Sequence, residues 1–137
     1  MPQFSALLPV FAQDEALHRV LESIDHGESG CVVAPSGARI PLIASMAQRR
    51  DKTIYVVVPT GREAEETASA LRAWVEDVEV FPSWETLPHE RLSPQVDTMA
   101  QRIAVLRRLI HPQSGDEHAG ALNVVVIPVR ALMQPII

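Results

Sequence analysis

The sequence predicts an α/β domain in three layers, a parallel sheet with helices on both faces. Two observations carry this. The strand-length segments Thr53–Val58 and Leu122–Val129 are almost continuously apolar, the pattern of strands covered on both sides rather than on one. The segments between them place apolar residues at helical spacing, so strands and helices alternate along the chain. Right-handed crossovers between parallel strands follow by default.

Taken in order, residues 5–13 mix apolar positions with Pro9 and predict only a short helical turn or loop. Asp14 is a good N-cap, and Ala16, Leu17, Val20, Leu21 and Ile24 follow at helical spacing, with Gly27 and Gly30 as the stop. Cys31-Val32-Val33-Ala34 reads as a short apolar strand ended by Pro35. Ser36 is placed to cap a helix with the stripe Ile40, Leu42, Ile43, Met46 and Ala47, closing on Arg49-Arg50, where basic residues suit the helix dipole.

The β-branched run Thr53–Val58, bounded by Pro59, is the clearest strand. Thr60-Gly61-Arg62-Glu63 then fits a capping box, in which the hydroxyl and the carboxylate each satisfy a free backbone N–H. The helix it opens carries Ala64, Thr67, Ala68, Leu71 and Trp74 on one face, and Val78–Phe81 is the next strand. A proline-rich connection from Pro82 to Pro94 leads to a helix from about Asp97, with Met99, Ile103, Leu106 and Ile110 expected inward. A polar loop, His111–Gly120, precedes the last strand, and Ala131-Leu132-Met133 opens a further helix. Residues 1–137 read as a single α/β subdomain, and the apolar ending Pro135-Ile136-Ile137 is expected to lie inside a longer polypeptide.

Composition narrows the function. Of 137 residues 47% are hydrophobic and 21% charged, which is ordinary globular usage. The net charge of −5 argues against a free-standing nucleic-acid binder, whose footprint is normally basic. One cysteine, Cys31, excludes a disulfide framework and fits a reducing compartment; as a small residue at a strand start it is expected to be buried. No apolar run approaches membrane-spanning length, and no basic segment precedes the N-terminal apolar stretch, so a cytoplasmic location without membrane attachment is expected.

Ligands of open α/β sheets sit at the carboxyl ends of strands, so the turn after the first expected strand is the place to look. It reads Val32-Val33-Ala34-Pro35-Ser36-Gly37-Ala38-Arg39. A phosphate-binding loop needs glycines whose N–H groups wrap the phosphates, a Lys for the terminal phosphates and a Ser or Thr for magnesium. Ser36-Gly37 match its tail, but Val32 and Pro35 stand where earlier glycines belong, Ala38 replaces the Lys and Arg39 replaces the Ser or Thr. A bare helix N-terminus can still hold an anion weakly, and Arg39 could help. The reading is a structural turn, with ATP binding as the alternative.

Other candidates are weaker. Asp14-Glu15-Ala16-Leu17 imitates an ATPase acid motif but is better explained as a helix start, and Asp116-Glu117-His118 lies in a loop ahead of its strand. His18, His26, His89, His111 and His118 lack paired metal-ligand spacing, and no serine is flanked as a nucleophile elbow. Neither catalytic nor metal-binding residues are expected. The basic clusters Arg49-Arg50-Asp51-Lys52 and Arg102 with Arg107-Arg108 read as solvated helix ends, outweighed by Glu63, Glu65, Glu66, Glu76, Asp77 and Glu79. Aromatics are too few for a single-strand stacking platform. Trp84 is expected to pin the proline-rich connection, with Leu87 and Leu92 beside it.

That connection is distinctive. Phe81-Pro82-Ser83-Trp84-Glu85-Thr86-Leu87-Pro88-His89-Glu90, then Leu92-Ser93-Pro94, Asp97, Arg102 and Leu106, closely resembles the N-terminal region of the bacterial transcription-repair coupling factors (Mfd); Val126–Gln134 resembles their continuation. The resemblance implies a module similar to the excision protein UvrB, a P-loop NTPase-like (RecA- or helicase-like) fold whose nucleotide site is degenerate, as Ser36-Gly37-Ala38-Arg39 would fit. It implies no cofactor for this chain, with ATP and magnesium serving a motor elsewhere in the parent. The parent of such a module releases RNA polymerase stalled at a lesion by ATP-driven translocation on DNA, and recruits excision through UvrA. The chain itself would be a scaffold partnered by the rest of its own polypeptide, with UvrA bound by the following domain and polymerase and DNA by later ones. A stand-alone P-loop-type enzyme is the rival reading, and Ala38 argues against it.

Overall fold

A computed structural model describes residues 2–49, 52–84, 95–113 and 120–134. A 3-10 turn at Ser5–Leu7 runs into the short helix α1 (Leu8–Phe11), as a chain broken by Pro9 allows. Helix α2 (Glu15–Asp25) starts where Asp14 accepts a hydrogen bond from the Leu17 N–H at 2.9 Å. It stops at Gly27, whose φ of 76° is left-handed; the Gly27 N–H donates to Ile24 O and the Glu28 N–H to Ser23 O, a Schellman closure.

Helix α3 (Arg39–Arg49) leads to strand β1 (Ile54–Val58), and Thr60 caps helix α4 (Gly61–Arg72) by accepting from the Glu63 N–H at 3.2 Å. The Glu63 carboxylate meets the Thr60 hydroxyl at 3.4 Å instead of completing the box on a backbone N–H. Strand β2 (Val78–Val80), helix α5 (Val96–Ile110), strand β3 (Val124–Pro128) and the short α6 (Val129–Leu132) complete the order.

The three strands are all parallel in the order β1-β3-β2, with Ile54 and Val78 both in register with Val124. On one face, Val124, Val126, Val78 and Val80 pack with Ala64, Ala68 and Leu71 of α4 and Ala44 and Ala47 of α3. On the other, Val125 and Ile127 pack with Val105 of α5 and Ala131 of α6. The fold is therefore α/β with a small parallel sheet flanked by helices. All five β3 residues are buried, each apolar side chain contributing about 1.5–3 kcal/mol.

Three expectations are corrected. Residues 31–34 form no strand: Val32 and Val33 are 48% and 95% exposed, and Cys31 is exposed rather than buried. Four residues with no neighbour on either side lack the ladder that would hold them extended. Strand β1 is not covered on both faces, because Tyr55 and Val57 are about half exposed. And α5 turns most of the expected stripe outward: Thr98, Arg102 and Val105 are buried, while Met99, Ile103 and Ile110 are exposed and only Leu106 of the stripe packs, partly buried, on the core. Arg102 goes inward because its guanidinium finds aromatic and carbonyl partners there, which outweighs the apolar count.

Candidate functional site

The Ser36–Arg39 turn is an exposed 3-10 turn (Ser36–Ala38) that runs directly into α3. Its N-cap is Pro35, so the Ser36 hydroxyl does not act as the cap, and the Ala38 N–H is taken by Pro35 O at 2.9 Å. A Cβ added at Gly37 would meet nothing within 4 Å, so no close backbone approach requires glycine there. The turn keeps the loop's place ahead of a helix, without a strand before it and with Ala38 in the position of the amine. Among the described residues, no three His, Cys, Asp or Glu side chains converge as metal ligands.

The built feature of the molecule lies instead at the carboxyl ends of β2 and β3. After β2, the Phe81 N–H donates to Val126 O at 2.9 Å, which carries the strand direction one residue further. The Phe81 ring then lies over one side of the Arg102 guanidinium at 4.2 Å and the Trp84 ring over it at 4.3 Å. Arg102 is 2% exposed, and its Nη1 donates to Pro82 O at 2.7 Å. Burial lowers the Arg102 pKa, because the cation has lost water; arginine remains charged nonetheless.

Gln134 fastens the same segment from the other side. Its Oε1 accepts from the Trp84 N–H at 2.7 Å and its Nε2 donates to Trp84 O at 3.2 Å, so one side-chain amide pairs with one residue's backbone in both directions. Gln101 adds a bond from Nε2 to Val80 O. Thus Trp84 does pin the start of the proline-rich connection, through Arg102 and Gln134; Leu87, Leu92 and the rest of residues 85–94 lie outside the described residues, as do Arg50-Asp51, Asp116-Glu117-His118 and residues 135–137.

The second basic residue of α5 is equally structural. Arg108 forms an ion pair with Asp77 and a second with Glu79 at 3.4 Å, and donates to Gly120 O at 3.2 Å. Its side chain is only 14% exposed. Asp77 takes a left-handed φ of 55° at the turn into β2, where its carbonyl accepts from the Asn123 N–H. Arg102 and Arg108 are therefore not solvated helix-end charges. The i, i+4, i+7 spacing of Thr98, Arg102 and Val105 was the available signal for this face, masked by the more apolar residues next to it.

No family model matches the chain. Over 106 residues, 76% of its length, it is 49% identical to the transcription-repair-coupling factors of Mycobacterium bovis and Mycobacterium tuberculosis. The chain belongs to the transcription-repair coupling factor family. More distant relatives carry the same name: that of Haemophilus influenzae is 29% identical over 111 residues, and that of Escherichia coli 27% over 94. The chain spans only 8–9% of the length of these family members, so it corresponds to a small module of each.

Proposed function

We propose that this chain is the first, N-terminal α/β subdomain of the UvrB-like module of a transcription-repair coupling factor, and that it is a non-catalytic scaffold. The observation that carries the reading is the 49% identity to the mycobacterial family members over most of the chain. The Arg102–Trp84–Gln134 knot supports it. The motif that resembles the family begins with residues that weld the ends of two strands together, and scaffolding is a matter of such fixed geometry. The Ser36–Arg39 turn supports the non-catalytic part, since Ala38 stands where the lysine amine belongs.

In the full-length protein this subdomain would position the domain that recruits UvrA. Release of RNA polymerase stalled at DNA lesions, driven by ATP-dependent translocation, belongs to the motor in the remaining length. ATP and magnesium serve that motor. Membrane attachment has no part in this role, and no helix among the described residues is long and apolar enough to cross a bilayer. The setting proposed is the cytoplasm, where polymerase and excision proteins meet.

The test is titration calorimetry of the chain with magnesium-ATP, paired with release of a stalled polymerase by the full-length protein. No binding heat from the chain, with ATP-dependent release by the whole protein, is the expected outcome. A micromolar ATP affinity in residues 1–137 would return the stand-alone nucleotide-binding enzyme to first place.

A further inference from the structure

Strand β2 has β3 on one side and no strand on the other among the described residues. The Phe81 N–H donates to Val126 O, toward β3. Backbone groups of a strand alternate in direction, so those of Val78 and Val80 point away from β3, to the outer edge. Such an edge is a template for a further strand, whose N–H groups would bond these carbonyls.

Both carbonyls are already taken. Arg72 Nε donates to Val78 O and Gln101 Nε2 to Val80 O, each at 3.2 Å. Two residues after Val80 comes Pro82, which has no N–H to offer. Its carbonyl accepts from Arg102 Nη1 at 2.7 Å. The donors straddle the edge, because α4 packs on the face of Val78 and Val80 while α5 packs on the face of Val125 and Ile127. They are also held in place. Gln101 is half-buried, and Arg72 Nη2 lies 3.9 Å from a Glu79 carboxylate oxygen. That carboxylate is paired with Arg108 as well, so Glu79 is not a free charge guarding the apolar run around it.

We infer that Arg72 and Gln101 shut the outer edge of β2 against strand addition, so that a second copy of the protein does not extend the sheet there. A neighbouring strand would run about 4.8 Å away, in the space where the two donors stand. Pairing then requires both side chains to leave and both carbonyls to change partners. Without them Val78–Phe81 would present a β-branched and aromatic edge with free acceptors, the arrangement that favours self-association.

The experiment compares the full-length protein with a variant carrying Arg72→Met and Gln101→Met, unbranched side chains that suit a helix but donate no hydrogen bond. Amide hydrogen exchange is read at Val78 and Val80 at two protein concentrations, with sedimentation velocity on the same samples. The parent should exchange equally at both concentrations. In the variant, exchange at these amides should slow about tenfold or more at the higher concentration, as a larger species forms. Arg72→Lys, which keeps a donor, should behave as the parent. Three results overturn the inference: protection in the parent that grows with concentration, a variant that exchanges as the parent does, or a larger species without protection at these two amides. Association of the lysine variant would do so too. If the double variant fails to fold, Gln101→Met alone carries the same comparison at Val80.

Discussion

The guanidinium of Arg102 lies 4.3 Å from the centre of the Trp84 ring, with Phe81 at 4.2 Å, while Nη1 bonds the carbonyl of Pro82 between them in sequence. One cation from α5 therefore touches three of the four residues, Phe81, Pro82 and Trp84, that leave the sheet after β2. Its Nη2 is buried without a hydrogen-bond partner, so among the described residues the charge is met by two rings and a carbonyl.

Replacing Arg102 should be costly. Arg102→Ala removes a charge-assisted hydrogen bond and two ring contacts, and a loss on the order of 3 kcal/mol is expected. Arg102→Lys should recover little, because a compact ammonium lacks the extended guanidinium that reaches both rings and the Pro82 carbonyl together. Urea unfolding of the three proteins measures both. A lysine variant as stable as the parent would show that charge alone, and not the shape of the guanidinium, is what the site uses.

Gln134 and Trp84 should behave as a coupled pair. Gln134→Ala deletes both bonds to the Trp84 backbone, for an expected loss of about 1–2 kcal/mol. Trp84→Ala, at a half-buried position, should lose about 2–3 kcal/mol, below the range for a fully buried ring. Because the segment loosens once either fastening is gone, the double variant should lose less than the two losses added together. Strict additivity in a thermal or urea series would separate the two fastenings.

The Ser36–Arg39 turn gives a third outcome. Ala38→Lys with Arg39→Thr supplies the side chains that a phosphate loop uses, yet phosphate release should stay at background. Hydrolysis also needs a metal-positioning acid and a preformed cradle, and the turn here is exposed with no strand ahead of it. Measurable turnover by the double variant in a phosphate-release assay would contradict the scaffold reading.

Recruitment of UvrA is proposed to belong to the domain that follows. The 137-residue chain should therefore capture purified UvrA poorly, and extension through the next domain should restore capture at matched concentration. Equal capture by the short chain would put the recognition surface within residues 1–137. The acidic stretch Glu63–Glu79 would then be mutated first, although Glu66 is paired with Arg62 at 2.8 Å and Glu79 with Arg108.

Local rules sufficed for much of the fold. Asp14, Gly27 and Thr60 mark helix ends through bonds spanning three to five positions, so their roles are readable without neighbours in space. The alternation of strands and helices was legible for the same reason, since burial of a whole run such as Val124–Ile127 leaves its signature in consecutive residues. That the Ser36–Arg39 turn has alanine where a phosphate loop would carry lysine is a matter of residue type, and is read directly at Ala38.

Tertiary structure alone decided which stripe of α5 faces inward, since the two stripes are 120° or so apart on one helix and the choice depends on Phe81, Trp84 and Pro82, some 20 positions earlier. It also decided that Cys31–Ala34 has no strand to join and that Tyr55 and Val57 lie bare. A strand exists only through its neighbours, and hydrophobicity measures what a segment is able to bury, not whether a partner is beside it.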